Sequence, residues 1–130
     1  MKIVINRCHG GFGLSEKAIE LLFEKKGWTL VRKVLDSTFT SYYKDSIQDD
    51  NFFNEFDLDR NDPDLVAVVE EIGDKANGWA AVLKVVDVPE DVIWYIEEYD
   101  GIEWVAENYA CGAMPLSIAL SIKKYFGVEE

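Results

Sequence analysis

The sequence has few of the residues from which metal sites and nucleophilic active sites are built. Its 130 residues include one histidine, His9, and two cysteines, Cys8 and Cys111, which form no CxxC pair. A structural zinc site is therefore not expected, and we predict neither a metal ion nor another cofactor. Cys8 and His9 are adjacent, but adjacent strand residues point to opposite faces, so a half-buried thiol is favoured over a nucleophile with its base. Catalysis is accordingly the least favoured class of function.

The sequence also has no long hydrophobic run and no secretory signal. Near its start, Ile3–Ile5 is the only apolar run between Lys2 and Arg7. No other stretch approaches the roughly 20 apolar residues that a membrane span requires. We therefore expect a soluble cytoplasmic protein whose thiols are free.

Positive charge is scarce, because 13 Lys and Arg residues stand against 25 Asp and Glu residues and give a formal net charge of −12. Such a surface repels phosphates, which argues against nucleic-acid binding. The bases are concentrated between Met1 and Lys33, whereas the stretch from Asp45 to Asp74 is strongly acidic and has Arg60 as its single base. A site for an anionic ligand is therefore expected near the N-terminal end.

Hydrophobic patterning predicts one α+β domain over residues 1–130, with a mixed or antiparallel sheet of about four to five strands and about three helices. The predicted strands cover residues 2–8, 28–35 and 79–88, with a hairpin over 92–107. The predicted helices cover residues 16–26, the stretch from Pro63 to Asn77-Gly78, and residues near 115–126. The 79–88 run is apolar almost throughout, which predicts a central strand covered on both faces. Residues 36–59 indicate either a functional flap or a missed pair of short strands.

Local sequence signals set several of these boundaries. Ser15 precedes the first helix as a capping residue and Gly27 follows it, while Asp62 caps the second helix ahead of Pro63. Asp100-Gly101 is a favoured type I′ turn. This turn predicts four cross-strand pairs, Tyr99 with Ile102, Glu98 with Glu103, Glu97 with Trp104 and Ile96 with Val105.

The segment from Asn6 to Ser15, here called the glycine loop, is the place where a strand, three glycines and a helix N-terminus meet. Glycines let the backbone approach a ligand, and the first amides of a helix attract anions. The residues that we predict to bind an anion in this loop are Asn6, Arg7, His9, Gly10, Gly11 and Ser15. The alternative is that the glycines only form a tight turn and that Ser15 only caps the helix.

The hairpin supplies the second set of candidate residues. Glu98 opposite Glu103 places like charges side by side, which costs stability unless a cation or a ligand offsets them. Arg60 or Arg32 could supply the cation, and otherwise the pair could hold ribose hydroxyls or a metal. Tyr99 and Trp104 share one face of the hairpin, where they either pack in the core or stack on a nucleobase.

Three blocks of the sequence resemble a family of small uncharacterised proteins from phages and bacteria. The blocks are Asn6–Ser15 (NRCHGGFGLS), Asp59–Pro63 with the Leu65–Glu71 helix, and Glu97–Glu107 (EEYDGIEWVAE). The resemblance implies a phage setting, in the host cytoplasm, where small proteins act as inhibitors, ligand sponges or modulators of host machinery. The chain departs from the family pattern after Glu107, because an apolar helix replaces the basic and aromatic ending that the family implies.

These observations favour non-enzymatic binding or sequestration of a small anionic, nucleotide-derived ligand, as in a counter-defence sponge. The alternative is an acidic protein that inhibits a host protein or mimics nucleic acid. The C-terminal helix has more apolar surface than one stripe, including Leu116, Leu120 and Phe126. It therefore predicts a homodimer, unless the aromatic segment before Asp59 covers its second side.

Overall fold

The structure, a computed structural model, describes residues 1–36 and 39–108, which form six short strands and two α-helices. The strands are β1 (Lys2–Asn6), β2 (Leu30–Val34), β3 (Thr40–Lys44), β4 (Leu83–Asp87), β5 (Ile93–Tyr99) and β6 (Ile102–Asn108). The α-helices are α1 (Glu16–Lys26) and α2 (Pro63–Ile72), and 3-10 turns occur at Asp49–Asn51, Glu55–Asp57 and Gly73–Ala76. Cys111 and the predicted helix near 115–126, on which the homodimer prediction rests, lie outside the described residues.

The strands form three antiparallel pairs, β1 with β4, β2 with β3 and β5 with β6. The predicted α+β class is confirmed. The predicted single sheet of four to five strands is wrong in detail, because each sheet in the described part of the chain has two strands. The hairpin has the predicted register from Ile96 opposite Val105 to Tyr99 opposite Ile102.

Capping residues begin both helices and end α1 as predicted. The predicted end of the second helix at Asn77-Gly78 is wrong, because α2 ends at Ile72 and the chain continues as a 3-10 turn over Gly73–Ala76. The Ser15 hydroxyl accepts a hydrogen bond from the Ala18 amide at 3.1 Å, and Gly27 ends α1 in the left-handed conformation with φ 72°. The Asp62 carboxylate accepts hydrogen bonds from the first amides of α2, with Pro63 at the first helical position. Both helices therefore begin where a side chain replaces the missing backbone partners.

Strand β1 separates two apolar clusters, because successive side chains point to opposite faces. Val4 packs with the buried faces of α1 and α2. Ile3 and Ile5 pack on the other side with Trp104 and Val105 of β6. The hairpin is thereby held against β1, and its turn lies beside the glycine loop that follows β1.

The prediction of a central strand over residues 79–88 is wrong. Strand β4 begins only at Leu83, pairs with β1 alone among the described strands, and leaves two of its five residues exposed. The preceding residues contact the glycine loop instead, with the Ala80 carbonyl accepting a hydrogen bond from the Gly11 amide at 3.0 Å. The apolar run is therefore divided between a strand and a loop contact, and a continuous hydrophobic pattern cannot distinguish the two.

For residues 36–59 we predicted either a functional flap or a pair of short strands. The structure has one strand there, β3. Strand β3 pairs with β2, and two 3-10 turns follow it. The Phe53 amide donates to the Tyr42 carbonyl at 2.8 Å, and the Phe53 ring lies edge-on to the Phe23 ring, with 5.1 Å between centroids. These contacts hold the segment against α1.

Candidate functional site

The glycine loop and the hairpin turn meet at a cleft of about 410 Å³. The two predicted motifs are far apart in the sequence, and the packing of β6 beside β1 brings them together. The cleft is lined by Gly10, Gly11 and Phe12 of the loop, by Phe56 and Arg60, and by Glu98, Asp100, Gly101 and Glu103 of the hairpin. Four of the residues predicted from the sequence, Gly10, Gly11, Glu98 and Glu103, therefore line one cavity.

Two glycines permit close backbone contacts of the glycine loop, Gly10 those with the segment before β4 and Gly101 those with the hairpin turn. A Cβ atom at Gly10 would collide with the Ala80 carbonyl, and one at Gly101 would collide with the backbone of His9. Gly101 also has φ 91° and follows Asp100 with φ 51°, as the type I′ turn requires. Gly10 and Gly101 thus allow close packing, and both also line the cleft.

Arg60 is the cation that pairs with Glu103, one of the two opposed hairpin carboxylates. Its guanidinium donates to both Glu103 oxygens, at 2.6 and 2.8 Å. The backbone amide of Asn6 donates to the same carboxylate at 2.8 Å. Arg32, the other candidate, instead donates to Glu20 at 2.6 Å. Glu103 is buried, so this pairing supplies the bonds that its charge needs.

Two aromatic rings, Phe12 and Phe56, line the cleft. The Arg60 guanidinium carbon lies 3.7 Å from the centroid of the Phe12 ring, which is a cation–π contact. Phe56 approaches Phe12 edge-on, with 6.4 Å between centroids, and its own side chain is 65% exposed. Phe56 therefore presents an aromatic surface at the mouth of the cleft.

Carboxylates dominate the electrostatics of this cavity. Glu98, Asp100 and Glu103 bring three negative charges against the single guanidinium of Arg60. Glu98 is exposed and accepts a hydrogen bond from the Gly101 amide, and Asp100 is exposed beside the His9 ring, with 3.5 Å between Oδ2 and Nδ1. The cleft thus offers carboxylate acceptors to hydroxyl or amine donors.

The helix end of the glycine loop is occupied by a group of the protein itself. The Leu14 amide donates to the Glu55 carboxylate at 2.9 Å. The Ser15 hydroxyl accepts from Ala18 and donates to the Lys75 carbonyl. Burial raises the pKa of the Glu55 carboxyl, although the Leu14 hydrogen bond favours its charged form. The anion at this position is therefore an internal carboxylate, and Ser15 acts as the helix cap.

Asn6 has a structural position in the core rather than a place in the cleft lining. It is fully buried, and its side-chain amide donates to the carbonyls of Cys8 and Gly101, each at 2.8 Å. Its side-chain oxygen accepts from the Val82 amide at 2.8 Å. The half-buried Cys8 thiol, as predicted, contacts the Ala80 carbonyl at 3.2 Å. Asn6 therefore joins the glycine loop to the hairpin and to the residues before β4.

The remaining predicted site residues are divided between the surface and the core. Tyr99 is 71% exposed, His9 is exposed and Arg7 is half-buried. Trp104 is buried, and its indole nitrogen donates to Glu97 at 3.0 Å, as expected for the core interpretation. Asp100, Phe12 and Phe56 were absent from the predicted site. The turn motif and the phenylalanine between the loop glycines could have indicated the first two.

The described part of the chain, residues 1–36 and 39–108, contains no group of three or more His, Cys, Asp or Glu residues that could hold a metal ion. Nor does any helix within those ranges have the length and apolar character needed to cross a bilayer. Searches against family models, curated proteins and solved structures found no match to the chain. The arrangement of the cleft is therefore the basis for a functional proposal.

Proposed function

We propose that the protein binds a small nucleoside-derived ligand in the cleft between the glycine loop and the hairpin, and that it binds this ligand without converting it. The observation that carries the proposal is the convergence of Gly10 and Gly11 with Glu98, Asp100 and Glu103 on one cavity. A volume of about 410 Å³ lies within the range of small-molecule sites.

The polar groups of the cleft suit a sugar. Glu98 and Asp100 are exposed carboxylates, and a carboxylate accepts hydrogen bonds from a pair of neighbouring hydroxyls. The exposed ring of Phe56 lies at the same cavity and can stack on a base. Arg60 has five N–H donors, of which Val4 and Glu103 use three, so its remaining edge can donate to a base or sugar oxygen.

Charge decides where a phosphate would lie. Three carboxylates against one guanidinium disfavour a phosphate deep in the cleft. We therefore place the sugar and base in the cavity and any phosphate at its mouth, on the side of the exposed His9. In this proposal, the negative charge that the sequence predicts for the ligand lies only at the mouth of the cleft. Sequestration of a host nucleotide signal in a phage setting is the role that the family resemblance adds to this proposal.

Calorimetry of the full-length protein against adenosine, mononucleotides, cyclic nucleotides and ADP-ribose tests the proposal. Because a hydrogen bond to a charged group contributes about 1.5–3 kcal/mol, Asp100→Asn and Glu98→Gln should each weaken binding by about tenfold or more. Asn is suited to the type I′ turn, so the Asp100 variant keeps the hairpin. Asp91→Asn, an exposed acid outside the cleft, is the matched control.

Two binding results contradict the proposal. One is that none of the compounds binds at roughly 1 mM, because a specific site of this size should have a dissociation constant below that concentration. The other is equal loss in the Asp91 and Asp100 variants, which would indicate a general charge effect. Chromatography of each bound compound after prolonged incubation should return it unchanged, and a new product would contradict the non-enzymatic part.

A further inference from the structure

Two shallow grooves lie side by side on the surface formed by β3 and the 3-10 turns that follow it. Residues Phe52–Asn54 line both grooves. The volumes of the grooves are about 260 and 250 Å³. The first groove, toward α1, has Leu14 and Tyr42 in its wall. The second has Trp28 and Leu58 in its wall. Each groove is large enough for one large apolar side chain.

The rim of the grooves exposes aromatic surface. Phe52 is 51% exposed although it packs edge-on against Tyr43, with 5.7 Å between the ring centroids. Phe56, which lines the first groove as well as the ligand cleft, is 65% exposed. Exposed aromatic residues beside apolar pockets are typical of surfaces that bind proteins. Phe52 belongs to the grooves and is outside the cleft lining, so it separates the two sites experimentally.

Both grooves have acidic side chains in their lining. Asp50 and Asp57 are exposed and line the second groove. Glu55 lines the first. The one cation in the lining, Lys44, lies 4.5 Å from the centroid of the Trp28 ring. Two carboxylates at the edge of a pocket with an aromatic wall complement a lysine or arginine that follows an apolar residue.

We propose that the double groove docks a segment of a basic protein that places one large apolar side chain in each groove and its lysines or arginines on Asp50 and Asp57. The negative charge of the groove lining favours a basic protein segment over a nucleic acid or a second copy of this chain. A nucleic acid would be repelled by these acids, and so would a second copy of a chain with net charge −12. This surface shares only Phe56 with the lining of the nucleoside cleft, and the inference does not depend on that ligand.

The test uses fluorescence anisotropy of the full-length protein with a defined series of labelled peptides. Each peptide has two leucines separated by one to four alanines and flanked by lysines and arginines. At least one spacing should bind, and replacing its bases by glutamate should abolish the binding. Replacing either one of its leucines by serine should weaken binding by about tenfold or more, because each buried leucine contributes about 1.5–3 kcal/mol.

Paired variants locate the site. Asp50→Asn with Asp57→Asn should weaken the best peptide by about tenfold, and Phe52→Ala should do the same. Asp59→Asn with Asp74→Asn removes the same charge from exposed acids outside the grooves and should change affinity by less than about twofold. Phe52→Leu keeps an apolar side chain at the rim and should retain most of the binding even if the alanine variant is destabilised.

Three outcomes would overturn the inference. The first is that no peptide of any spacing binds at roughly 1 mM. The second is that the control pair loses as much affinity as the groove pair, which would assign binding to the overall charge. The third is that light scattering shows a dimer that Phe52→Leu or Phe52→Ala converts to a monomer, because the occupant would then be a second copy of the chain.

Discussion

Arg60 donates two hydrogen bonds to the Glu103 carboxylate, at 2.6 and 2.8 Å, and so joins the loop before α2 to the turn end of the hairpin. The backbone of Val4 in β1 donates to the Arg60 carbonyl at 2.9 Å. A single pair of charged side chains therefore connects β1, the hairpin and the entry to α2. Its position at the wall of the cleft means that the fold and the candidate site depend on the same contact.

Removing the charge of Arg60 should destabilise the protein strongly. Arg60→Met leaves the buried Glu103 carboxylate without its cation, and breaking such a pair from one side costs about 3–5 kcal/mol. Replacing both residues, with Arg60→Met and Glu103→Met, should cost less than the sum of the two single changes. Urea unfolding at neutral pH measures all three values. A single-variant loss below about 0.5 kcal/mol, the usual size of surface effects, would contradict this assignment.

Gly101→Ala should cost more stability than Gly27→Ala. Both residues have positive φ, at 91° and 72°, but a Cβ at Gly101 would meet the His9 backbone whereas one at Gly27 would meet open space. The helix-end glycine should therefore cost about 1 kcal/mol from backbone strain alone. The turn glycine should add a steric penalty and exceed about 2 kcal/mol. Equal losses in thermal unfolding would show that loop and hairpin do not approach each other closely.

Features encoded by neighbouring residues could be predicted from the sequence. Ser15 and Asp62 cap the two helices, and the Asp100-Gly101 turn fixes the pairing of Glu98 with Glu103. Each of these depends on contacts within about four residues along the chain or across one tight turn. Local propensity is sufficient to specify such contacts.

Features that depend on distant packing were harder to predict. Arg60 was one of two candidates for the Glu103 partner, and sequence spacing could not choose between them because the contact spans 43 residues. The Glu55 carboxylate at the Leu14 amide was missed, since it comes from a segment without periodicity. The length of β4 was overestimated because Ala80 packs against Gly11 instead of extending the strand.

Acid should weaken the attachment of α2 through Asp62. Burial opposes ionisation of this carboxyl, but the hydrogen bonds from Lys26 and from the amides of Asp64 and Leu65 outweigh it, so the pKa of Asp62 lies below its usual value. A lowered folded-state pKa gives stability that is present above the unfolded value of about 3.9 and is lost as the pH falls through the folded value.

Asp62→Asn tests this pH dependence, because asparagine also caps helices well. The variant should be less stable than the parent at pH 7, where it loses the Lys26 pairing, and the difference should shrink below about pH 4. Urea midpoints at several pH values measure the trend. Asp64→Asn is a partial control, since Asp64 also contacts Lys26, at 3.1 Å, but does not cap α2. A stability difference that stays constant from neutral to acid pH would contradict the assignment.

Glu55→Gln should be neutral or stabilising at neutral pH. Burial raises the pKa of Glu55, so its charged form is disfavoured in the folded protein despite the hydrogen bond from the Leu14 amide. For an acid with a raised folded-state pKa, the unfavourable contribution develops as the pH rises above the unfolded value of about 4.3. Glutamine keeps a side-chain oxygen for the Leu14 amide and carries no charge, so it avoids that contribution.

Glu55→Ala separates the charge from the hydrogen bond. This variant removes the acceptor from the Leu14 amide and should lose about 1 kcal/mol, the typical value of one such bond. The glutamine variant should keep the parent stability at pH 7 and should lose the part of the pH dependence that Glu55 contributes between about pH 4 and 7. Chemical unfolding at these two pH values distinguishes the cases. If glutamine and alanine destabilise equally at pH 7, the negative charge itself stabilises the glycine loop, and Glu55 would then be an internal anion that the loop amides require.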